Sequence, residues 1–249
     1  MAQGPVGRVR LFNDFTGVPD LLSATTDVTN GLGDFYAGGE GHEDNDAGVA
    51  KKGAGGLNGV LTITGANTDA DTTFVGTDFI FDVALNGPIV LETRVQLPDL
   101  DTKEIFFGLT SILTIDEQLE DILINASATA VTIVADLVGF YFSNELTASA
   151  TKWHGVYGGG TASGGGTAAN VALDDSTVTA NTWQILRLEV DPNGTTRWYV
   201  DGELKQTVEG ACSTTSDFAV CLAAAANTTE LAIFDCDYIL AEGNRDWTV

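Results

Sequence analysis

Trp183 to Thr207, WQILRLEVDPNGTTRWYVDGELKQT, is the stretch that decides the fold. Leu186, Leu188 and Val190 alternate with Arg187 and Glu189, the two-residue period of a strand with one buried face. Asp191-Pro192-Asn193-Gly194 then supplies turn chemistry, because proline fixes φ and Asn-Gly tolerates positive φ. Trp198 and Val200 carry the alternation onto a return strand, and Asp201-Gly202 turns the chain again. Two hairpins in 25 residues predict an antiparallel sheet.

Outward from this stretch the same rhythm repeats. Val9 to Phe15, Gly59 to Thr64, Asp78 to Leu85, Ile89 to Leu97, Glu104 to Thr110, Ala130 to Ala135, Leu137 to Ser143, Lys152 to Tyr157, Phe218 to Ala223 and Glu230 to Ala241 read as strands. Asn30 to Gly59, rich in Gly, Asp and Glu, reads as an exposed loop region. Gly158 to Gly166, GGGTASGGG, reads as a flexible loop, since no packed element uses such a run. Ile115 to Ile124 is the one helix candidate, with acids at its start, where the helix dipole favours them. Evenly spaced strands, scarce helix and no βαβ rhythm predict an all-β antiparallel sandwich with at most one or two short helices. The expected organisation is an N-terminal arm over residues 1–10 and a single β-sandwich domain over 11–249.

Formal net charge is −24, from 35 acidic and 11 basic residues. Such a surface repels nucleic acid and anionic lipid, so neither is an expected partner. Arg8 and Arg10 stand out because no acidic residue precedes Asp14. On an acidic body they form a basic, apolar arm suited to contact with a partner; the plain alternative is solvent-facing arginines on a first strand. MAQGPVGRVR has no apolar run after its charges, and no stretch approaches the ~20 apolar residues that span a bilayer. Neither a signal peptide nor a membrane partner is expected. Cys212, Cys221 and Cys236 are too few and too irregularly spaced for a disulfide framework or a zinc site; a bridge between Cys212 and Cys221 stays open.

The hairpin, with its tryptophan, alternating leucines and YVDG turn, resembles laminin-G-like, concanavalin A-like domains. LETRVQL, EIFFGLT, LVGFYFS, the hairpin and LAIFDCDYILAE follow the order of strands in that jelly roll. The resemblance implies that Leu11 to Phe15 lies beside Leu231 to Leu240. A looser resemblance, through FNDF, GFYF and the W..LRLEVD hairpin, points to accessory virion proteins of tailed bacteriophages. It implies a non-enzymatic capsid decoration or cement protein. Such a protein is made in the host cytoplasm, sits as a homo-oligomer on the outer face of the capsid, and has the major capsid protein shell as its partner.

Sandwich glucanases of this fold carry Glu-x-Asp-x-(x)-Glu on one strand, so that two carboxyls face one groove about 5–5.5 Å apart. LETRVQL holds only Glu92, and the alternating Asp235 and Asp237 read as sheet-surface acids. With no catalytic residues and no cofactor identified, the chain is expected not to be an enzyme. Two binding candidates remain. Glu40, Glu43, Asp44 and Asp46, within EGHEDND, offer the oxygen ligands calcium takes, although their spacing is not that of an EF-hand; solvated loop acids are the plain alternative. Trp153, beside the Gly-rich loop, is the candidate for stacking on a sugar, while Trp183 and Trp198 read as packing residues of the hairpin. Glycans are therefore a possible partner, and a carbohydrate-binding module or adhesin is the alternative function. A glycan-cleaving enzyme ranks third.

Overall fold

The computed structural model describes residues 7–17, 29–52, 59–127, 130–146, 149–162 and 171–245. The first part of the chain supplies β1 (Arg8–Asn13), β2 (Thr29–Leu32), β3 (Phe35–Gly38), β4 (Gly48–Lys51), β5 (Leu61–Gly65), β6 (Thr72–Gly76) and the two-residue β7 (Phe81–Asp82). A helical turn α1 (Val83–Asn86) precedes β8 (Ile89–Gln96) and β9 (Lys103–Thr110). Next come α2 (Leu119–Ile122), the hairpin β10 (Leu123–Ser127) and β11 (Ala130–Ile133), and then β12 (Leu137–Ser143), β13 (Lys152–Gly158) and β14 (Val171–Thr177). The chain closes with β15 (Trp183–Val190), β16 (Thr196–Val200), β17 (Glu203–Val208), β18 (Asp217–Ala226) and β19 (Ala232–Asn244).

Two antiparallel sheets form the sandwich. The first runs β17-β16-β15-β8-β19-β5-β4, with β1 also on β19; the second runs β14-β13-β12-β9-β18-β6-β3-β2, with β7 on β18. The chain crosses between sheets at β1 to β2, β3 to β4, β5 to β6, β7 to β8, β8 to β9, β14 to β15, β17 to β18 and β18 to β19, as a jelly roll does. The first and last strands pair as expected, Leu11 opposite Ala241 and Phe12 opposite Leu240.

The deciding hairpin is β15–β16, in register Leu186 with Val200 and Leu188 with Trp198. Its inward set is buried while Arg187, Glu189, Arg197 and Tyr199 stay partly exposed. Trp198 crosses the core, and its indole Nε1 donates to the Gly139 carbonyl of the opposite sheet at 2.7 Å. There Gly139 lies opposite Gly108. A Cβ on Gly108 would fall 2.2 Å from the Val138 carbonyl oxygen, so the second sheet tolerates no side chain at that point.

The second sheet is apolar on both faces. Phe107, Phe140, Val220 and Leu222 point into the sandwich core, and Phe106, Tyr141, Ala219 and Cys221 point away from it. That outer face is covered by the segment carrying α2 and β10–β11, through Leu113, Leu119, Ile122, Leu123 and Val131. Covering it removes from water a surface that no solvated sheet could expose cheaply.

Four sequence expectations change. The region expected as a loop, Asn30 to Gly59, contains β2, β3 and β4, with Phe35, Ala37 and Val49 buried; pairing with β6 and β5 overrides a glycine-rich composition. Asp78 to Leu85 keeps strand character only at Phe81–Asp82, because Asp82 caps a helical turn by accepting from the Leu85 N–H at 3.0 Å. The helix expected over Ile115 to Ile124 shrinks to Leu119–Ile122, after which the chain extends into β10. Arg8 to Arg10, expected in the arm, belong to β1; residues 1–6 lie outside the described residues, as does the Gly-rich loop from residue 163 onward. All three cysteines are free and buried, Cys212 and Cys221 included.

Replacing Trp198 with Phe should lower stability by about 1–3 kcal/mol, because a buried carbonyl loses its donor while most of the packing is kept. Urea denaturation checks this; a midpoint unchanged from wild type would mean that the indole bond contributes nothing.

Candidate functional site

On β8, β15, β16 and β1 every second side chain faces outward, away from the sandwich core, and on β19 a register shift at Asp237 brings the consecutive Asp237 and Tyr238 to that same face. At a strand spacing near 4.8 Å these five adjacent strands make a platform about 19 Å wide. The outward positions carry charged and aromatic groups in register. Arg187 reaches Glu92 at 3.1 Å on one side and Glu189 at 2.8 Å on its own strand. The hydroxyl of Tyr238 donates to Glu92 at 2.8 Å, and that of Tyr199 donates to Glu189 at 3.2 Å. Arg94 binds Asp237 at 2.8 Å and lies over the ring of Trp183, 4.7 Å from its centroid. Phe12 packs beside Tyr238, and the Arg10 guanidinium lies over Phe12.

These contacts fix the protonation states. Burial works against the Arg187 charge, but the hydrogen bonds it donates to Glu189 and Glu92 outweigh that and raise its pKa. Burial, then the hydrogen bond to Glu92, pushes the Tyr238 phenol well above its ordinary value, so it stays a donor. Chemically the platform offers aromatic faces, hydroxyls and charge-assisted hydrogen-bonding groups, all held by neighbours in the sheet.

The platform also reorganises the charge of the molecule. Arg8, Arg10, Lys52, Arg94, Arg187 and Arg197, six of the eleven basic residues, lie on it or at its rim in ion pairs. Their partners are Glu242, Asp235, Asp237, Glu92, Glu189 and Asp191. Six bases against six acids leave this face near neutral, and the excess of 24 negative charges sits elsewhere.

The residues expected to form sites are not gathered here. Trp153 is 0% exposed, packed in the core against Phe140 and Phe142, with its Nε1 donating to Gln184 Oε1 at 3.0 Å. It has no free face for a sugar, and that assignment is corrected. Arg8 and Arg10 are strand residues bonded to Glu242 at 3.7 and 2.9 Å. Glu40, Glu43, Asp44 and Asp46 are exposed in the turn before β4, and no group of three or more potential metal ligands is assembled among the described residues. Trp247, a further tryptophan that could stack on a sugar, lies outside the described residues. The sequence reading took Trp183 for a packing residue and did not single out Tyr199 or Tyr238; Trp183 and Tyr199 sit at outward positions of the alternating pattern, and Tyr238 is turned outward by the register shift between Cys236 and Tyr238.

A second locus holds a perturbed acid. Glu104 of β9 lies opposite Ser143, under the cover of the second sheet, and is 4% exposed. Burial raises its pKa to about 8; the Tyr141 hydroxyl lowers it in part, and Glu145, Glu120 and Asp69 raise it further. At neutral pH this carboxyl is protonated.

No family model and no curated protein sequence matches the chain. Solved structures do. A Shewanella oneidensis MR-1 protein of unknown function aligns with 97% of this chain and 89% of its own at TM-score 0.58 and 11% identity. A glycoside hydrolase family 16 endo-glucanase from Bacteroides ovatus aligns over 92% and 98% at TM-score 0.54 and 11% identity. A carbohydrate esterase from the Shiga toxin-encoding bacteriophage phi24B aligns over 86% and 92% at TM-score 0.50 and 14% identity. The neighbours are concanavalin A-like jelly-roll sandwiches, and at these identities they show a shared fold. They also overturn the expectation that the chain is not an enzyme. Two of these three proteins are enzymes by name, so the fold is one this chain shares with enzymes.

Glu104 generates a pH prediction. Its folded pKa, about 8, lies above its ordinary value of 4.5, so the folded state holds the proton more tightly than the unfolded one. Its contribution is then full below about pH 4.5 and is lost progressively as pH rises to about 8. Glu104→Gln removes this loss. Between pH 5 and 8 the variant should gain on wild type by on the order of a few kcal/mol, read from chemical denaturation at each pH. Parallel stability curves would contradict the assignment.

Proposed function

We propose that this chain recognises carbohydrate through the outer face of its first sheet. The observation that carries the proposal is the registered platform of Trp183, Arg94, Tyr199, Tyr238, Arg187 and Glu92. Sugar rings present apolar C–H faces and rows of hydroxyls. Aromatic faces match the first, and charged groups already fixed in orientation match the second without a further ordering cost. The near-neutral charge of this face lets a saccharide approach a body that is otherwise strongly anionic. Support also comes from the fold, shared over most of the chain with a glucanase and a carbohydrate esterase.

A glycan array followed by calorimetry on the best ligand tests the proposal. Trp183→Ala is expected to weaken binding at least tenfold, and Tyr238→Phe severalfold, with the thermal transition kept. Trp153→Phe, in the core, should leave affinity unchanged once the folded fraction is taken into account. Affinity unaffected by Trp183→Ala would remove the platform from consideration.

A second reading is favoured by the likeness to a bacteriophage protein: a domain displayed on the exterior of a virion, docked as an oligomer on the major capsid protein shell. Co-sedimentation with purified shells is the measurement, and a protein that stays in the supernatant at every ratio tried would count against it.

A further inference from the structure

The edge of the sandwich beside β1 is built differently from the platform. Val9 and Leu11 of β1 point inward, opposite in parity to Arg8 and Arg10, and line a groove of about 490 Å³ with Tyr36, Asp34, Asp78 and Ile80. A second hollow of about 370 Å³ shares Val9 and Ile80 and continues to Phe79, Leu85, Asp82 and Asp217. Phe79 and Leu85 are 45% and 50% exposed, large apolar side chains standing at the rim of a concave surface. No lining residue is basic. Among the described residues Asp34, Asp78 and Asp217 form no ion pair, whereas the bases of β1 are turned away and bound to Glu242. β1 itself pairs only with β19, which leaves its second edge without a strand partner among the described residues.

We propose that this groove docks an extended basic segment of a partner protein, added as a strand along the free edge of β1. An edge strand with open N–H and C=O groups accepts a peptide by main-chain hydrogen bonding, and alternate side chains of the peptide then face opposite ways. Lysines or arginines at every second position face the groove, where their aliphatic stems lie along Val9, Leu11 and Ile80 and their charged ends reach the carboxylates of Asp34, Asp78 and Asp217. Charge complementarity selects this occupant: a second copy of a chain at net charge −24 would be repelled here. The site is separate from the carbohydrate platform and does not depend on it.

The test uses the full chain and a fluorescein-labelled heptapeptide, Lys-Val-Lys-Val-Lys-Val-Lys, with the Glu-for-Lys peptide as its opposite. Fluorescence anisotropy should show saturable binding of the basic peptide, none of the acidic one, and at least a tenfold loss in the double variant Asp34→Asn/Asp78→Asn. Ile80→Ser should weaken binding as well, since apolar contact is part of the fit. The exposed pair on β14, changed as Asp174→Asn/Asp175→Asn, should stay within twofold of wild type. Equal loss in the β14 variant would mean that the peptide merely coats an acidic surface, and the proposal falls. It falls also if the acidic peptide binds equally well, if no saturable binding is seen, or if sedimentation shows self-association that Asp34→Asn/Asp78→Asn abolishes. Circular dichroism of each variant separates loss of binding from loss of fold.

Discussion

A sheet that is apolar on both faces constrains this molecule more than anything else. Every residue of β9 and of β12 is buried, and so are nine of the ten in β18. Burying that much apolar area is the main favourable term in folding, and one partner sheet covers only half of it. The first sheet takes the inner face; α2 with the β10–β11 hairpin takes the outer. Gly108 and Gly139, opposite each other, keep the backbones close where Trp198 reaches across to the Gly139 carbonyl. With both faces of the second sheet covered, the proposed recognition surfaces are the outer face of the first sheet and the open edge at β1.

That division also sorts the charges. A chain with 35 acids and 11 bases can neutralise only part of its surface. Half or more of its bases are used on one face, each beside a carboxylate on a neighbouring strand or turn. The groove at β1 receives none, although two arginines lie on the strand that lines it. Strand parity explains this: Arg8 and Arg10 share a face with Glu242, while Val9 and Leu11 share the other with the groove. One six-residue strand thus contributes cations to the neutral platform and apolar side chains to the anionic cleft.

Much of the fold was legible because its first sheet has one wet face. The alternation in Trp183 to Val200, and in Ile89 to Gln96, identified strand and facing direction. The pairing of β1 with β19 was implied by the resemblance to concanavalin A-like domains. Where both faces are dry the alternation disappears. LVGFYFS has no polar side to mark orientation, and in KWHGVYG only Lys152 and His154, opposite in parity to Trp153, mark the face it takes. Regions whose strand state depends on distant partners were read poorly for a related reason. Thr29–Leu32 and Phe35–Gly38 have the composition of a loop and become strands because β6 offers an edge to Phe35–Gly38, which in turn pairs with Thr29–Leu32.

The candidate site was readable by a rule that was applied to the fold and not carried over to function. Parity places Arg187, Glu189, Arg197 and Tyr199 outward, and the same parity puts Trp183 with them and Trp198 against them. Choosing a sugar-stacking tryptophan by its neighbourhood in sequence led to Trp153, a core residue. Choosing it by parity leads to Trp183, half-buried beside Arg94 and Asp237. The partners from β8 and β19 were visible too, since Glu92 and Arg94 alternate with Leu91, Thr93 and Val95. Sheet order was the missing quantity: β8 lies between β15 and β19, so three segments far apart in the chain bring their outward side chains into one row. Glu104 was hidden for the opposite reason. In sequence it is one more acid among 35, and only the cover laid over the second sheet turns it into a carboxyl that keeps its proton at neutral pH.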